Sequence, residues 1–173
     1  PDAPTGWPSA IAPPSTLSLA GSIVPSAPGR SSSLRQYPSL AHARSHDPDA
    51  EITFVAVPVG AVPDAARVAL ADGGVVTDVG SVKTPVTAAL PHSRFVGGHP
   101  MAGSEAQGVA GSRADLFQGA TWVLTPTEVT DPAAQALVHS VVRSLGADVV
   151  TLAPDDHDRL VARIREQALP EEA

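Results

Sequence analysis

The sequence predicts an α/β fold, a mainly parallel sheet with flanking helices, preceded by a disordered N-terminal segment. Three observations carry this prediction. From Glu51 onward, short β-prone runs alternate with stretches of helical apolar period. The connections between them are only a few residues long, as in βαβ units. Residues 1–50, by contrast, hold 9 of the 18 prolines and 10 serines, with no apolar period of either kind. Proline removes backbone donors and serine competes for backbone hydrogen bonds, so such a segment buries too little to offset its ordering entropy. The sequence therefore divides into a Pro/Ser-rich segment, 1–50, and a folded part, 51–173; within the first, only Thr16–Val24 suits a weak strand or turn.

The elements follow in order. Ile52–Val59 is a near-continuous β-prone run, as expected of a strand covered on both faces. Pro63 suits the first turn of a helix that Gly73-Gly74 ends. Val75–Thr77 is a second strand, Pro85 starts a short helix, and Arg94–Gly97 is a third strand. Ala106–Phe117 is partly helical and broken by glycine, and Thr121–Thr125 is a fourth strand. Asp131-Pro132 forms a cap and first-turn pair for a helix with Leu137, Val138, Val141, Val142 and Leu145 on one face. Asp148–Leu152 is a fifth strand, and Pro154 opens a last helix with Leu160, Val161 and Ile164 on one side.

Composition excludes several function classes. The formal charge of −7 argues against nucleic acid and anionic membranes as partners. The absence of cysteine removes disulfides and thiolate metal sites. No apolar run approaches the roughly 20 residues that span a bilayer. The N-terminus lacks the basic and apolar regions of a secretory signal, so the expected setting is cytoplasmic. The acidic run around His157 reads as a solvated helix start rather than a metal site, and no metal is expected.

In open α/β sheets ligands bind outside the carboxyl ends of the strands. Three polar or glycine-bearing strand ends arise here: Val57-Pro58-Val59-Gly60, Asp78-Val79-Gly80-Ser81, and Gly97-Gly98-His99. A neutral imidazole at such an end can accept a hydrogen bond from a substrate hydroxyl; it can equally serve as a structural hydrogen-bonder. Ser81 is placed to assist that histidine or the same hydroxyl, or to cap a turn with Asp78. Glu105 is placed to tune the histidine or gate the cavity, and Lys83 reads as solvated.

Taken together, Val76-Thr77-Asp78-Val79-Gly80-Ser81-Val82-Lys83 and Phe95-Val96-Gly97-Gly98-His99-Pro100-Met101-Ala102-Gly103-Ser104-Glu105 resemble the prephenate dehydrogenase family of tyrosine biosynthesis. Asp115-Leu116-Phe117, Trp122–Pro126 and Asp156-His157-Asp158 follow in the family's order, so the likeness runs from about Ile52 to about Ala162. The resemblance implies a partial Rossmann-like domain and an NAD- or NADP-dependent oxidative decarboxylation of prephenate or arogenate. It implies that His99 accepts the hydrogen bond of the ring hydroxyl and that Ser81 assists it. It implies further that Ser104 and Glu105 line the substrate pocket and that Val57, Pro58, Val59 and Asp78 lie beside the cofactor.

The sequence departs from the family in two places. Residues 1–50 contain no Gly-x-Gly-x-x-Gly loop, only isolated Gly6, Gly21 and Gly29. The family's dimerising helical domain, which supplies an arginine for the substrate carboxylates, has no counterpart beyond Arg163, and neither Arg163 nor Arg165 matches that arginine. A fragment is thus expected, with the edge of the Ile52 strand left open. The abrupt change at Glu51 suggests a GC-rich coding segment read in another frame. The alternative expectation is an inactive remnant or a small interaction module retaining part of the fold.

Overall fold

The computed structural model describes residues 16–20, 33–37, 50–102 and 115–168, the first two segments as backbone alone. Seven strands form one sheet: β1 (Thr16–Ala20), β2 (Ser33–Tyr37), β3 (Ile52–Val55), β4 (Val75–Asp78), β5 (Phe95–Pro100), β6 (Thr121–Thr125) and β7 (Asp148–Thr151). Their order is β2-β1-β3-β4-β5-β6-β7. Every pair is parallel except β5 with β6. Among the described residues lie four helices, α1 (Val62–Ala71), α2 (Thr84–Ala89), α3 (Pro132–Ser144) and α4 (Pro154–Ala168), the last following β7. Among the described residues no helix is long and apolar enough to cross a membrane.

The mainly parallel α/β layering agrees with the sequence. β1 falls where a weak strand was expected, whereas β2 lies in a stretch that carries no strand pattern. β1 also occupies the edge of β3 that was expected to be open, with Leu17 in register with Ile52. β3 is shorter than its β-prone run: Pro58 stands just before a 3-10 turn over Val59–Ala61 that leads into α1. Residues 103–114, most of the expected Gly-broken helix, lie outside the described residues.

Strand alternation sends side chains to two cores. On one face Ile52, Phe54, Val75, Val96, Trp122 and Leu124 pack against Val138, Val141 and Val142 of α3. On the other, Val55, Val76 and Phe95 meet Val62, Ala66 and Leu70 of α1 and Val86 of α2. The sheet is therefore covered by helices on both faces, as its unbroken apolar runs require. Asp131 caps α3 by accepting from Ala133 N at 2.9 Å. In α4 the buried residues are His157 and Val161, one helical turn apart; Leu160 and Ile164, expected on the packed side, are about 40% exposed.

Candidate functional site

Period 2 on β5 puts Phe95, Gly97 and His99 on the face that carries α2 and α4. The two glycines have separate reasons. A Cβ on Gly97 would stand 2.3 Å from Thr125 Oγ1 and 3.3 Å from Thr87 Cγ2, so its absence makes room for the β6 threonine beside it. A Cβ on Gly98, on the opposite face, would stand 2.6 Å from the Asp78 carbonyl oxygen and 2.8 Å from Thr77 Oγ1. The strand end preceding His99 is thus drawn tightly against β4.

An ion pair fastens that contact. Asp78 and Lys83 are both fully buried, and Lys83 Nζ donates to Asp78 Oδ2 and, at 2.7 Å, to the Gly98 carbonyl oxygen. Asp78 Oδ2 also accepts from Gly80 N at 2.9 Å, and Oδ1 from Gly98 N at 3.1 Å. Burial pushes the Lys83 ammonium below its ordinary pKa, opposed chiefly by the Asp78 charge. Two sequence expectations change here. Lys83 is not solvated. Asp78, expected beside the cofactor, spends both carboxylate oxygens inside the protein, because the short Val79-Gly80 turn folds its side chain back over β5.

His99 is half-buried, and its Nδ1 lies 2.8 Å from Nε2 of His157. His157 Nδ1 in turn lies 2.8 Å from Asp158 Oδ1. Asp158 also accepts from the backbone N–H groups of Lys83 (2.8 Å) and Thr84 (2.9 Å), satisfying two donors at the start of α2. Partial burial pushes the Asp158 carboxyl up, but the Thr84 and Lys83 amides and His157 outweigh it and hold it at about 2. The His99 imidazole is lowered to about 4, first by burial and then by its neighbours His157, Lys83 and Arg165. It is therefore neutral near pH 7, the state in which a ring nitrogen can accept. His157, expected to be solvated, is fully buried and part of the site.

The remaining sequence-predicted residues are placed unevenly. Ser81 is half-buried close by, yet its Oγ accepts from Arg165 at 3.0 Å rather than bonding His99. Ser104 and Glu105 lie outside the described residues. Val57, Pro58 and Val59 follow β3 where strand order reverses, since β1 has β2 on one side and β3 on the other. Such a switch point is where α/β sheets bind nucleotides. Pro58 is exposed, Val57 and Val59 are half-buried, and Gly60 has open space where a Cβ would be. The loop after β1 lies outside the described residues.

Comparisons with known proteins converge. A family model described as "Prephenate dehydrogenase, nucleotide-binding domain" matches residues 40–151. Prephenate dehydrogenase of Bacillus subtilis is 39% identical over 94 residues, which are 51% of this chain and 25% of that protein. The crystal structure of Synechocystis arogenate dehydrogenase superimposes with a TM-score of 0.62 at 38% identity, covering 75% of this chain and 47% of that one. Prephenate dehydrogenase of Aquifex aeolicus, solved in complex with hydroxyphenyl propionate and NAD+, gives 0.63 at 30% identity, covering 79% and 54% respectively. The chain thus spans about a quarter of the length of the first of these relatives and about half of the two solved chains.

Proposed function

The chain belongs to the prephenate dehydrogenase family, matched through its nucleotide-binding domain, and from that premise we propose that it takes part in the NAD(P)-dependent oxidative decarboxylation of prephenate or arogenate. The observation that carries the reading is His99: a neutral imidazole at the carboxyl end of a central strand, hydrogen-bonded through Nδ1 and, among the described residues, with no hydrogen bond to its other nitrogen. A nicotinamide held beside Val57, Pro58 and Val59 would supply the acceptor for a hydride from the carbinol carbon of the substrate ring. His99 accepts the hydrogen bond of the ring hydroxyl, which aligns that carbon and stabilises charge developing on its oxygen. Carbon dioxide leaves as the ring becomes aromatic, and the hydroxyl keeps its proton in the phenol, so no net proton transfer to the protein is needed. Val57, Pro58 and Val59 form the wall on the nicotinamide side, and Ser81 lies at the rim with Arg165. Ser104 and Glu105 belong to the same pocket by family likeness. We place the protein in the cytoplasm, with a small-molecule substrate.

The test is NADH or NADPH formation by the purified chain with prephenate or arogenate. Turnover is expected, and His99→Asn should lower kcat by about 10²–10⁴ with an unchanged far-UV spectrum. Absence of turnover for all four pairings, with no thermal shift on adding millimolar cofactor, would overturn the proposal in favour of an inactive remnant or interaction module.

A further inference from the structure

We propose that His157 and Asp158 are positioning residues that lock His99 in its Nδ1–H tautomer, leaving Nε2 as the lone-pair nitrogen that meets the substrate hydroxyl. The inference deepens the role given to His99 above and rests on that reading for its functional meaning, though not for its chemistry.

Donors and acceptors must alternate along the relay. Asp158 is fixed by two backbone N–H groups at the start of α2, and a carboxylate can only accept. The 2.8 Å contact to Asp158 Oδ1 therefore requires the proton of His157 on Nδ1. In a neutral imidazole that leaves Nε2 of His157 as a lone pair. The 2.8 Å contact from His99 Nδ1 to this Nε2 then requires the proton of His99 on Nδ1. Among the described residues no hydrogen bond reaches His99 Nε2, so the acceptor nitrogen is unspent. The relay crosses elements: His99 comes from β5, His157 and Asp158 from α4, and the amides that anchor Asp158 from the start of α2. The charged groups facing His99 are Lys83 before α2 and Asp158 and Arg165 on α4, and the titratable His157 is its direct neighbour.

The assignment is not the one an isolated imidazole makes. A histidine in water favours the Nε2–H tautomer, in which the exposed nitrogen donates and cannot accept. The burial of His157 thus has a chemical purpose beyond packing: it reverses the intrinsic preference of its neighbour.

Long-range ¹H–¹⁵N correlation spectra of the ¹⁵N-histidine-labelled full chain, near pH 7, decide the matter. His99 is assigned by the signals lost in His99→Gln. Its Nε2 is expected at the shift of an unprotonated nitrogen and its Nδ1 at that of a protonated one. His157→Leu removes the acceptor and should return His99 to a mixture dominated by Nε2–H. His157→Gln, whose side-chain oxygen can accept from Nδ1–H, should restore the wild-type pattern. In turnover, His157→Leu should lower kcat about fivefold or more, in proportion to the lost competent tautomer, with the cofactor KM unchanged. An Nε2–H signal for His99 in the wild type, which a protonated His157 donating to Nδ1 would give, overturns the proposal. So does an unchanged tautomer in a folded His157→Leu chain. If that variant does not fold, the wild-type spectrum still decides. The spectrum needs no turnover, so a chain with the expected tautomer and no dehydrogenase activity would refute the proposed function alone.

Discussion

Breaking the buried Asp78–Lys83 pair is expected to be among the most costly single changes in this protein. Both side chains are fully buried. Removing one member of such a pair leaves an uncompensated charge, at about 3–5 kcal/mol. The two halves are not equivalent. Lys83→Met leaves Asp78 with the Gly80 and Gly98 amides, which still stabilise its charge, so the loss belongs near about 3 kcal/mol. Asp78→Ala leaves the Lys83 ammonium with one neutral acceptor, the Gly98 carbonyl, and strips a partner from both amides. Each orphaned buried group adds about 1–3 kcal/mol, placing this variant at about 5 kcal/mol or beyond. For a chain of this length each kcal/mol moves Tm by about 2–4 °C. Lys83→Met should therefore fall by about 6–12 °C and Asp78→Ala by about 10–20 °C. The double variant should be less destabilised than the sum, because neither charge remains to be stranded. Urea and thermal unfolding followed by circular dichroism at pH 7 measure all three. Single losses below about 1 kcal/mol, or strict additivity in the double variant, would refute the reasoning.

Two further predictions concern the same strand end. Gly98→Ala should destabilise by about 1–3 kcal/mol through overpacking against the Asp78 backbone, while Gly60→Ala, with nothing within 4 Å of the new methyl, should stay within about 0.5 kcal/mol; equal urea midpoints for the two would contradict the packing argument. Stability should also depend on His99 in a defined pH window. The unfolded histidine binds its proton near 6.5 and the folded one only at about 4. The unfolded state therefore takes up the proton first, and stability present above pH 6.5 is lost as pH falls toward about 4. Asp158, lowered from 3.8 to about 2, adds a second loss in that lower range. Urea midpoints in a buffer series should fall across the first window for the wild type and flatten in His99→Gln; parallel slopes would count against a depressed His99.

Legibility differed by kind of information. The parallel sheet, both major helices of the Val62–Ser144 region and the strand ends bearing Asp78 and His99 could be read from local signals, because alternation, proline, glycine and caps act within a few residues. Lys83 and His157 could not be read that way. A lysine in a loop is ordinarily solvated; it is buried here because Asp78, five residues back, and the Gly98 carbonyl of β5 take its ammonium. One partner belongs to a strand that follows it by fifteen residues. His157 sat in an acidic run that suggests solvent, yet its spacing of four from Val161 marks the inward stripe of α4. Leu160 and Ile164, three and seven residues after His157, share that stripe by spacing yet stand about 40% exposed. β2 had no apolar alternation to reveal it.

The relay also ties the site to the completeness of the fold. His99 and His157 are 58 residues apart in sequence, and Asp158 reaches back 75 residues to the Lys83 amide. Reversal of β6 against β5 brings β7 to an end level with Gly98, since both Thr151 and Gly98 stand beside Leu124. The chain can then turn straight back with α4 over the strand ends. No local segment can assemble these contacts on its own, and their loop-closure cost falls late in any folding order. During synthesis β5 emerges well before α4, so under the proposed relay a nascent or truncated chain ending before α4 would present His99 in the tautomer of free imidazole. On that proposal, competence for chemistry is acquired only when α4 docks.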